Sequence, residues 1–273
     1  MVNVYSLGGS KHIGYFAALR LLDAGYTFTF LLRNPSALQN DQAMSKHIAA
    51  RKVFLVKGDA LVKSDVENGW NVAGKHGPVD LMIFSVGGRP SLHITRGFVL
   101  DPPNLVTQCL LNAITTIPKN QSQPKIVAIS SNGLTKTSHE TLPCLLKPYY
   151  AYLLANPHQD KVGLERVLHH VAGWKWNSED DGEPEESILS PDWTTQTPGL
   201  PDPGSLKQTL VVRPALLTDG ECQADRKGEM GYKLSEGDLG GWTVSRRDVA
   251  HFVADAVLNK WEQYVDKIIS ISY

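Results

Sequence analysis

Seven short runs of apolar and β-branched residues are spaced along the chain, with helical patterns between them. Several runs are continuously apolar rather than alternating, which is typical of strands buried on both faces. The predicted strands are residues 2–6, 27–32, 53–57, 81–86, 125–130, 209–213 and 268–272.

Two helices are predicted from the intervening patterns. Between the first two strands, apolar residues recur at helical spacing up to Gly25, which supplies a stop. Near the end, the stretch SRRDVAHFVADAVLNKW opens with a capping box, Ser245 followed by Asp248, and continues with one apolar face. Strands that alternate with helices predict right-handed crossovers and a parallel sheet. We therefore expect a doubly wound α/β fold with strand order 3-2-1-4-5-6-7.

One segment departs from this alternation. Residues 173–207 are rich in acidic residues, proline and glycine, and they separate a helical region from the strand at 209–213. Long loops of this kind are either solvated insertions or functional. The first alternative is a solvated loop, and the second is a substrate lid built from Trp174, Trp176 and Trp193. No linker or repeat divides the chain, so we expect a single domain over residues 1–273 with a decorated C-terminal third.

Composition and charge narrow the functional classes. The chain has 42% hydrophobic residues, 20% charged residues and a formal net charge of −1, so nothing favours nucleic acid or an anionic membrane as a partner. The three cysteines Cys109, Cys144 and Cys222 are widely spaced, which argues against a disulfide framework or a zinc site. No apolar run is long enough for a membrane helix, and the N-terminal residues do not form a signal peptide. A cytoplasmic location is the expectation.

The stretch SLGGSKHIG, residues 6–14, follows the first strand and opens the first helix. Glycines there allow a sharp turn and let a pyrophosphate approach backbone amides at the helix start. The alternative is a tight strand-to-helix turn with no ligand. His12 stands where such loops carry a glycine, and a positive φ at this position would impose a steric penalty on it.

Several motifs together resemble the atypical branch of the short-chain dehydrogenases/reductases, which contains NmrA-like proteins and biliverdin-IXβ (flavin) reductases. They are the glycine loop, KGDA (57–60), FSVGG (84–88), ISSNG (129–133), VVRPALLTDG (211–220) and SRRDVAHFV (245–253), spread over nearly the whole chain. The resemblance implies a Rossmann fold and an NAD(P) cofactor. The cofactor-binding residues that it implies are Gly8, Ser10, Lys11, His12, Ile13, Gly14, Arg33, Asp59, Ala60, Val86, Gly87, Gly88 and Lys161.

The choice between NAD and NADP depends on the end of the second strand. NAD sites place a carboxylate about 20 residues past the loop, whereas Arg33 lies 19 residues after Gly14. An arginine can bind a 2′-phosphate through paired, charge-assisted hydrogen bonds, and Lys11 is a second cation in the loop. The alternative is that both are basic residues facing solvent. The pattern predicts NADP(H).

The catalytic residues are less clearly marked. The Tyr-x-x-x-Lys pair typical of the family is missing, because Pro157 lies four residues before Lys161. Lys161 and Glu165 instead resemble the K-x-x-x-E of the atypical branch, in which the lysine contacts the nicotinamide ribose or acts on the substrate. The alternative is a surface ion pair. Tyr150 is the candidate proton donor and Ser131 the candidate ligand of a substrate oxygen. No metal site is predicted.

These features predict an oxidoreductase that transfers a hydride between NADP(H) and a small organic substrate, namely a carbonyl, an activated C=C bond, an imine or a flavin-like ring. Two alternatives stay open: an NADP-binding redox sensor without turnover, and an isomerase, dehydratase or cyclase on the same fold. The partners considered are a small-molecule substrate and, in a homodimer, a second copy of the chain.

Overall fold

The structure is a computed structural model that describes residues 2–88, 91–93, 97–135 and 155–273. Its strands are β1 (Asn3–Leu7), β2 (Thr27–Leu32), β3 (Val53–Lys57), β4 (Leu81–Phe84), β5 (Ser91–His93), β6 (Gly97–Val99), β7 (Lys125–Ile129), β8 (Thr209–Pro214), β9 (Leu216–Thr218), β10 (Lys233–Glu236), β11 (Thr243–Ser245) and β12 (Lys267–Ser272).

The helices that it describes surround these strands. They are α1 (His12–Asp23), α2 (Ser36–Gln39), α3 (Gln42–Ala49), α4 (Lys63–Gly74), α5 (Leu105–Thr115), α6 (Ala155–Ala172), α7 (Trp193–Gln196), α8 (Ala224–Lys227), α9 (Arg246–Asn259) and α10 (Trp261–Tyr264), with one 3₁₀ turn at Gly228–Gly231. Within the described ranges, none of these helices is both long and apolar enough to cross a membrane.

Eight strands form one sheet in the order β3-β2-β1-β4-β7-β8-β12-β10. The first seven are parallel to their neighbours, as in the pairing of Val4 with both Phe28 and Leu81. They correspond to the seven predicted strands, so the predicted order is confirmed. The structure adds β10, an edge strand antiparallel to β12, which the sequence pattern did not indicate.

Hydrophobic cores lie on both faces of the sheet, as expected for strands buried on both sides. Helices α1 and α9 cover one face, where Val4, Ile83 and Val212 point. Helices α4, α5 and α6 cover the other, where Tyr5, Met82 and Val211 point. The order of the strands reverses between β1 and β4, and in doubly wound folds the ligand crevice opens at the carboxyl ends of such a pair.

The insertion at 173–207 folds back onto α6. Trp174 and Trp176 pack edge-on against His169, and Trp193 packs against His170. The tryptophans therefore cover one end of α6, while most acidic residues of the segment are exposed. The function of the segment as a lid stays a prediction.

The two ends of the insertion lie side by side. A Cβ on Gly173 would be 2.8 Å from Cα of Gly204, and both glycines have positive φ angles, 74° and 71°. The amide of Gly204 donates to the carbonyl of His170 at 3.0 Å, so the chain returns to α6 where it left it.

Candidate functional site

The glycine loop is pressed against the end of β4. A Cβ on Gly8 would lie 2.4 to 2.5 Å from backbone atoms of Ser85 and Val86, and one on Gly14 would lie 2.2 Å from the Ser85 hydroxyl. Gly8 also has φ +86°, which favours glycine. Larger side chains would therefore push β1 and β4 apart at the point where the crevice opens.

The start of α1 presents the groups that an anion needs. The first amides of a helix have no partner within it and carry its positive end. Lys11 is exposed and Ser10 half-buried, whereas the Ile13 side chain is buried in the core below. Ile13 can thus contact a dinucleotide only through its backbone, and the loop fits a pyrophosphate.

His12 has a positive φ angle at the start of α1. Its φ is +56°, in the left-handed region that histidine tolerates better than most residues but less well than glycine. Its Nδ1 lies 4.0 Å from Oδ1 of Asp219, which also accepts a hydrogen bond from Arg246 at 2.9 Å. His12 therefore connects the glycine loop to the segment that follows β9.

The proposed adenosine side of the crevice combines one exposed cation with a rigid turn. Arg33 follows β2 directly and is exposed. After β3, the half-buried Asp59 accepts a hydrogen bond from the Leu61 amide at 3.0 Å, and its own amide donates to Asp65 at 2.8 Å. The carbonyl of Ala60 accepts from Asn112 at 2.9 Å. The turn is therefore fixed without any ligand.

Three predicted residues follow β4. Val86 is half-buried, Gly87 is exposed with open space around it, and Gly88 packs so closely that a Cβ would meet Leu100 at 2.2 Å. The chain thus leaves room beside Gly87 and none beside Gly88.

Lys161 lies in α6 and reaches across to the sheet. Its ammonium donates to the carbonyl of Ile129 at 2.6 Å and, more weakly, to that of Val86 at 3.5 Å. Burial lowers the pKa of Lys161 to about 8, although Asp160 and Glu165 oppose the shift. A cation with a readily lost proton therefore lies between the carboxyl ends of β4 and β7.

Glu165 is not the ion-pair partner of Lys161. It is buried and binds Arg213 through two hydrogen bonds, 2.9 Å to Nε and 2.5 Å to Nη2, while the Ser130 hydroxyl donates to it at 2.5 Å. Burial alone would raise the pKa of Glu165, but Arg213 and Ser130 outweigh it and hold the pKa below its usual value. Arg213 continues to Asp238 at 3.2 Å.

Sequence reasoning missed the roles of Arg213 and Asp238. A charged residue inside the apolar run TLVVRP was the signal that could have revealed Arg213, since buried charges are normally paired. Asp160 was also missed. Its buried carboxylate accepts from the amides of Val106 and Thr107 at 2.7 and 2.8 Å and so caps α5.

No protein-family model matches the chain. Reductase pytE of Aspergillus terreus is 26% identical over 269 residues, which cover 92% of this chain and 90% of that protein. Among solved structures, ChuY, an anaerobilin reductase from Escherichia coli, superposes with a TM-score of 0.57 at 14% identity, covering 98% of this chain and 96% of the other. A short-chain dehydrogenase from Burkholderia cenocepacia in complex with NADP superposes with a TM-score of 0.60 at 15% identity, covering 99% and 96%.

The chain shares the Rossmann-like α/β fold of these solved structures, with a mostly parallel sheet of eight strands. The resemblance seen in the motifs is thereby confirmed at the level of the fold, and the curated relative agrees with the expectation of a reductase. Membership of the NmrA-like branch stays a prediction.

The two other catalytic candidates, Ser131 and Tyr150, have different outcomes. Ser131 is half-buried directly after Ser130, and its hydroxyl donates to the carbonyl of Asn132 at 3.2 Å. Because Ser130 is bound to Glu165, Ser131 is the more available serine. Tyr150 lies outside the described residues. Among the residues that the structure describes, no group of three potential metal ligands occurs.

Proposed function

We propose that the chain is an NADP(H)-dependent reductase that transfers a hydride to or from a small organic substrate. The substrate class is a carbonyl, an activated C=C bond, an imine or a flavin-like ring. The similarity to reductase pytE and the NADP-bound neighbour from Burkholderia cenocepacia support this assignment.

The observation that carries the proposal is the position of Lys161. Its ammonium lies at the carboxyl ends of β4 and β7, the edge of the sheet where doubly wound folds bind dinucleotides. A surface lysine would not be half-buried against two carbonyl groups. Lys161 is thus suited to hold the nicotinamide ribose and to orient the substrate beside it.

The remaining residues each bind a different part of the cofactor or the substrate. The loop at Gly8 and Gly14 holds the pyrophosphate, and Arg33 with Lys11 binds the 2′-phosphate. Bound NADPH supplies the hydride. Ser131 hydrogen-bonds to the oxygen of a carbonyl substrate, and Tyr150 or water supplies the proton that completes the reduction.

The first experiment is a fluorescence titration with NADPH and with NADH. Arg33→Ala should weaken NADPH binding by about 10- to 150-fold and leave NADH binding nearly unchanged, because loss of a charge-assisted bidentate contact costs about 1.5–3 kcal/mol. Arg226→Ala is the matched control, since Arg226 is an exposed arginine paired with Glu221.

Turnover is then followed by NADPH absorbance with quinone, aldehyde, enone and imine acceptors. Equal losses for NADPH and NADH in Arg33→Ala would contradict the cofactor choice. Tight NADPH binding without turnover of any acceptor would contradict the reductase assignment and favour a sensor of the redox state.

A further inference from the structure

The segment 237–242, between β10 and β11, is tied to the carboxyl ends of three strands. Asp238 pairs with Arg213 of β8, and the carbonyl of Leu239 accepts from Asn132, just past β7, at 2.6 Å. A Cβ on Gly241 would lie 2.3 Å from the Ser272 hydroxyl at the end of β12. The segment is therefore fixed at the edge of the sheet where the proposed reaction occurs.

These ties lead directly to the proposed catalytic residues. Asn132 is the residue after Ser131, so its amide couples the segment to the candidate substrate ligand. Arg213 binds Asp238 on one side and Glu165 on the other, and Glu165 lies one helical turn beyond Lys161. The position of the segment is thus linked to the positions of Ser131 and Lys161.

Trp242 ends this segment with an exposed indole. All six tryptophans lie within the described residues, and Trp242 is 49% exposed whereas the other five are buried or half-buried. Trp242 is three positions after Leu239, so at about 3.3 Å per residue the two lie within roughly 10 Å of each other. An exposed indole on a segment fixed at both ends is an unusual use of a large apolar side chain.

We infer that residues 237–242 form one wall of the substrate site and that the Trp242 indole is the surface against which a planar, conjugated substrate lies. Aromatic rings favour offset or edge-on contacts with other π-systems, beyond the area that they bury. Fixed anchors reduce the entropy lost on binding. The inference rests on the proposed function and narrows its substrate to ring systems such as quinones and flavins.

The test compares planar and saturated acceptors in Trp242 variants. Menadione and riboflavin are the planar probes, and cyclohexanecarbaldehyde is the saturated one. In Trp242→Ala, the KM for menadione and the Kd for riboflavin should rise about fivefold, whereas Trp242→Phe should stay within about twofold of the wild type. The KM for cyclohexanecarbaldehyde and the Kd for NADPH should not change.

The control is Met230→Ala, which removes another exposed apolar side chain, 85% exposed. It should leave all four constants unchanged. Equal losses for planar and saturated probes in Trp242→Ala, or no loss for either, would overturn the inference. So would failure of both planar probes to bind the wild-type protein.

The two proposals fail in different ways. If NADPH does not bind, the proposed function is wrong, yet riboflavin binding to the free chain still reports on the wall. If NADPH binds and is oxidised while Trp242 variants discriminate nothing, only the wall is wrong.

Discussion

At the scale of single residues, His12 has a backbone conformation that suits glycine better. A left-handed conformation costs an L-residue about 1–2 kcal/mol. Glycine avoids this cost, but it loses more conformational entropy on folding, which costs about 0.5–1 kcal/mol. His12→Gly should therefore raise the free energy of unfolding by about 0.5–1 kcal/mol, measured with urea.

Arg51→Gly is the matched control for His12, because Arg51 has a similar φ of 54° and follows α3, away from the glycine loop. It should stabilise the chain by a similar amount and leave NADPH binding unchanged. A His12→Gly protein less stable than the wild type would show that the imidazole contacts outweigh the backbone strain.

Lys161 gives the stability of the chain a specific dependence on pH. Its folded pKa of about 8 lies below its ordinary value of 10.5, so between these values the unfolded chain binds more protons. Lys161 therefore lowers the free energy of unfolding by its full amount below pH 8, and this penalty disappears as the pH rises towards 10.5. In urea unfolding, the free energy of unfolding of the wild type should rise relative to that of Lys161→Met between pH 7 and pH 9.5.

A difference between the two proteins that does not change with pH would mean that Lys161 titrates as an ordinary exposed lysine. Lys63→Met provides a comparison, since Lys63 is exposed and donates to the Pro198 carbonyl at 2.9 Å. It controls for the loss of a lysine side chain from the surface.

A site residue could be predicted from the sequence when its motif or spacing lies within a short stretch of the chain. The glycine loop and Arg33 follow from a motif and a spacing within the first 33 residues. Arg213, Glu165 and Asp238 contact one another only through the fold, over separations of 48 and 25 residues. No periodicity encodes such pairs.

At the scale of elements, α6 is fastened to the sheet by the buried pair of Glu165 and Arg213. Removing one partner of a buried pair leaves an uncompensated charge, which costs about 3–5 kcal/mol, whereas replacing both with apolar residues costs far less. Arg213→Met should therefore destabilise the chain by about that amount, and the double variant Glu165→Leu, Arg213→Met should recover most of the loss.

The measurement is urea unfolding of the two single variants and the double variant. Arg226→Ala again serves as control, because exposed pairs contribute about 0–1 kcal/mol. If the double variant were as unstable as the single variants, the loss of stability would not come from an uncompensated buried charge.

The elements that the sequence predicted are those with long apolar patterns. Six of the seven strands ended within one residue of their predicted bounds at both ends, and β4 stopped two residues early, because strands buried on both faces leave continuous runs. The strands β9 and β11 have three residues each, too few for any periodicity. β10, KLSE, is an edge strand with polar, half-exposed residues and resembles a loop in sequence.

At the scale of the whole molecule, Asp248 joins three distant parts of the chain. Its buried carboxylate accepts from the amides of Gln223 and Ala224, from the Ser245 hydroxyl and from the Tyr273 hydroxyl at 2.6 Å. Burial would raise the pKa of Asp248, but these hydrogen bonds hold it below its usual value. The capping box predicted at Ser245 is thus also a tertiary junction.

Tyr273→Phe should remove one of these ties. The hydroxyl donates to a carboxylate and accepts from the Ser245 amide at 3.0 Å, and hydrogen bonds to charged groups contribute about 1.5–3 kcal/mol. The free energy of unfolding should fall by about 2 kcal/mol. Tyr26→Phe, at a half-buried tyrosine directly before β2, should change it by less than about 0.5 kcal/mol.

The meeting of Gly173 and Gly204 has a consequence for how such chains can diversify. Because the segment leaves and re-enters at one point, its length can change without altering the spacing of α6 and β8. Insertion or deletion in the gene at this point would alter the surface over α6 while preserving the sheet and the glycine loop. The segment over α6 can therefore differ in length and sequence between related proteins while the rest of the fold stays the same.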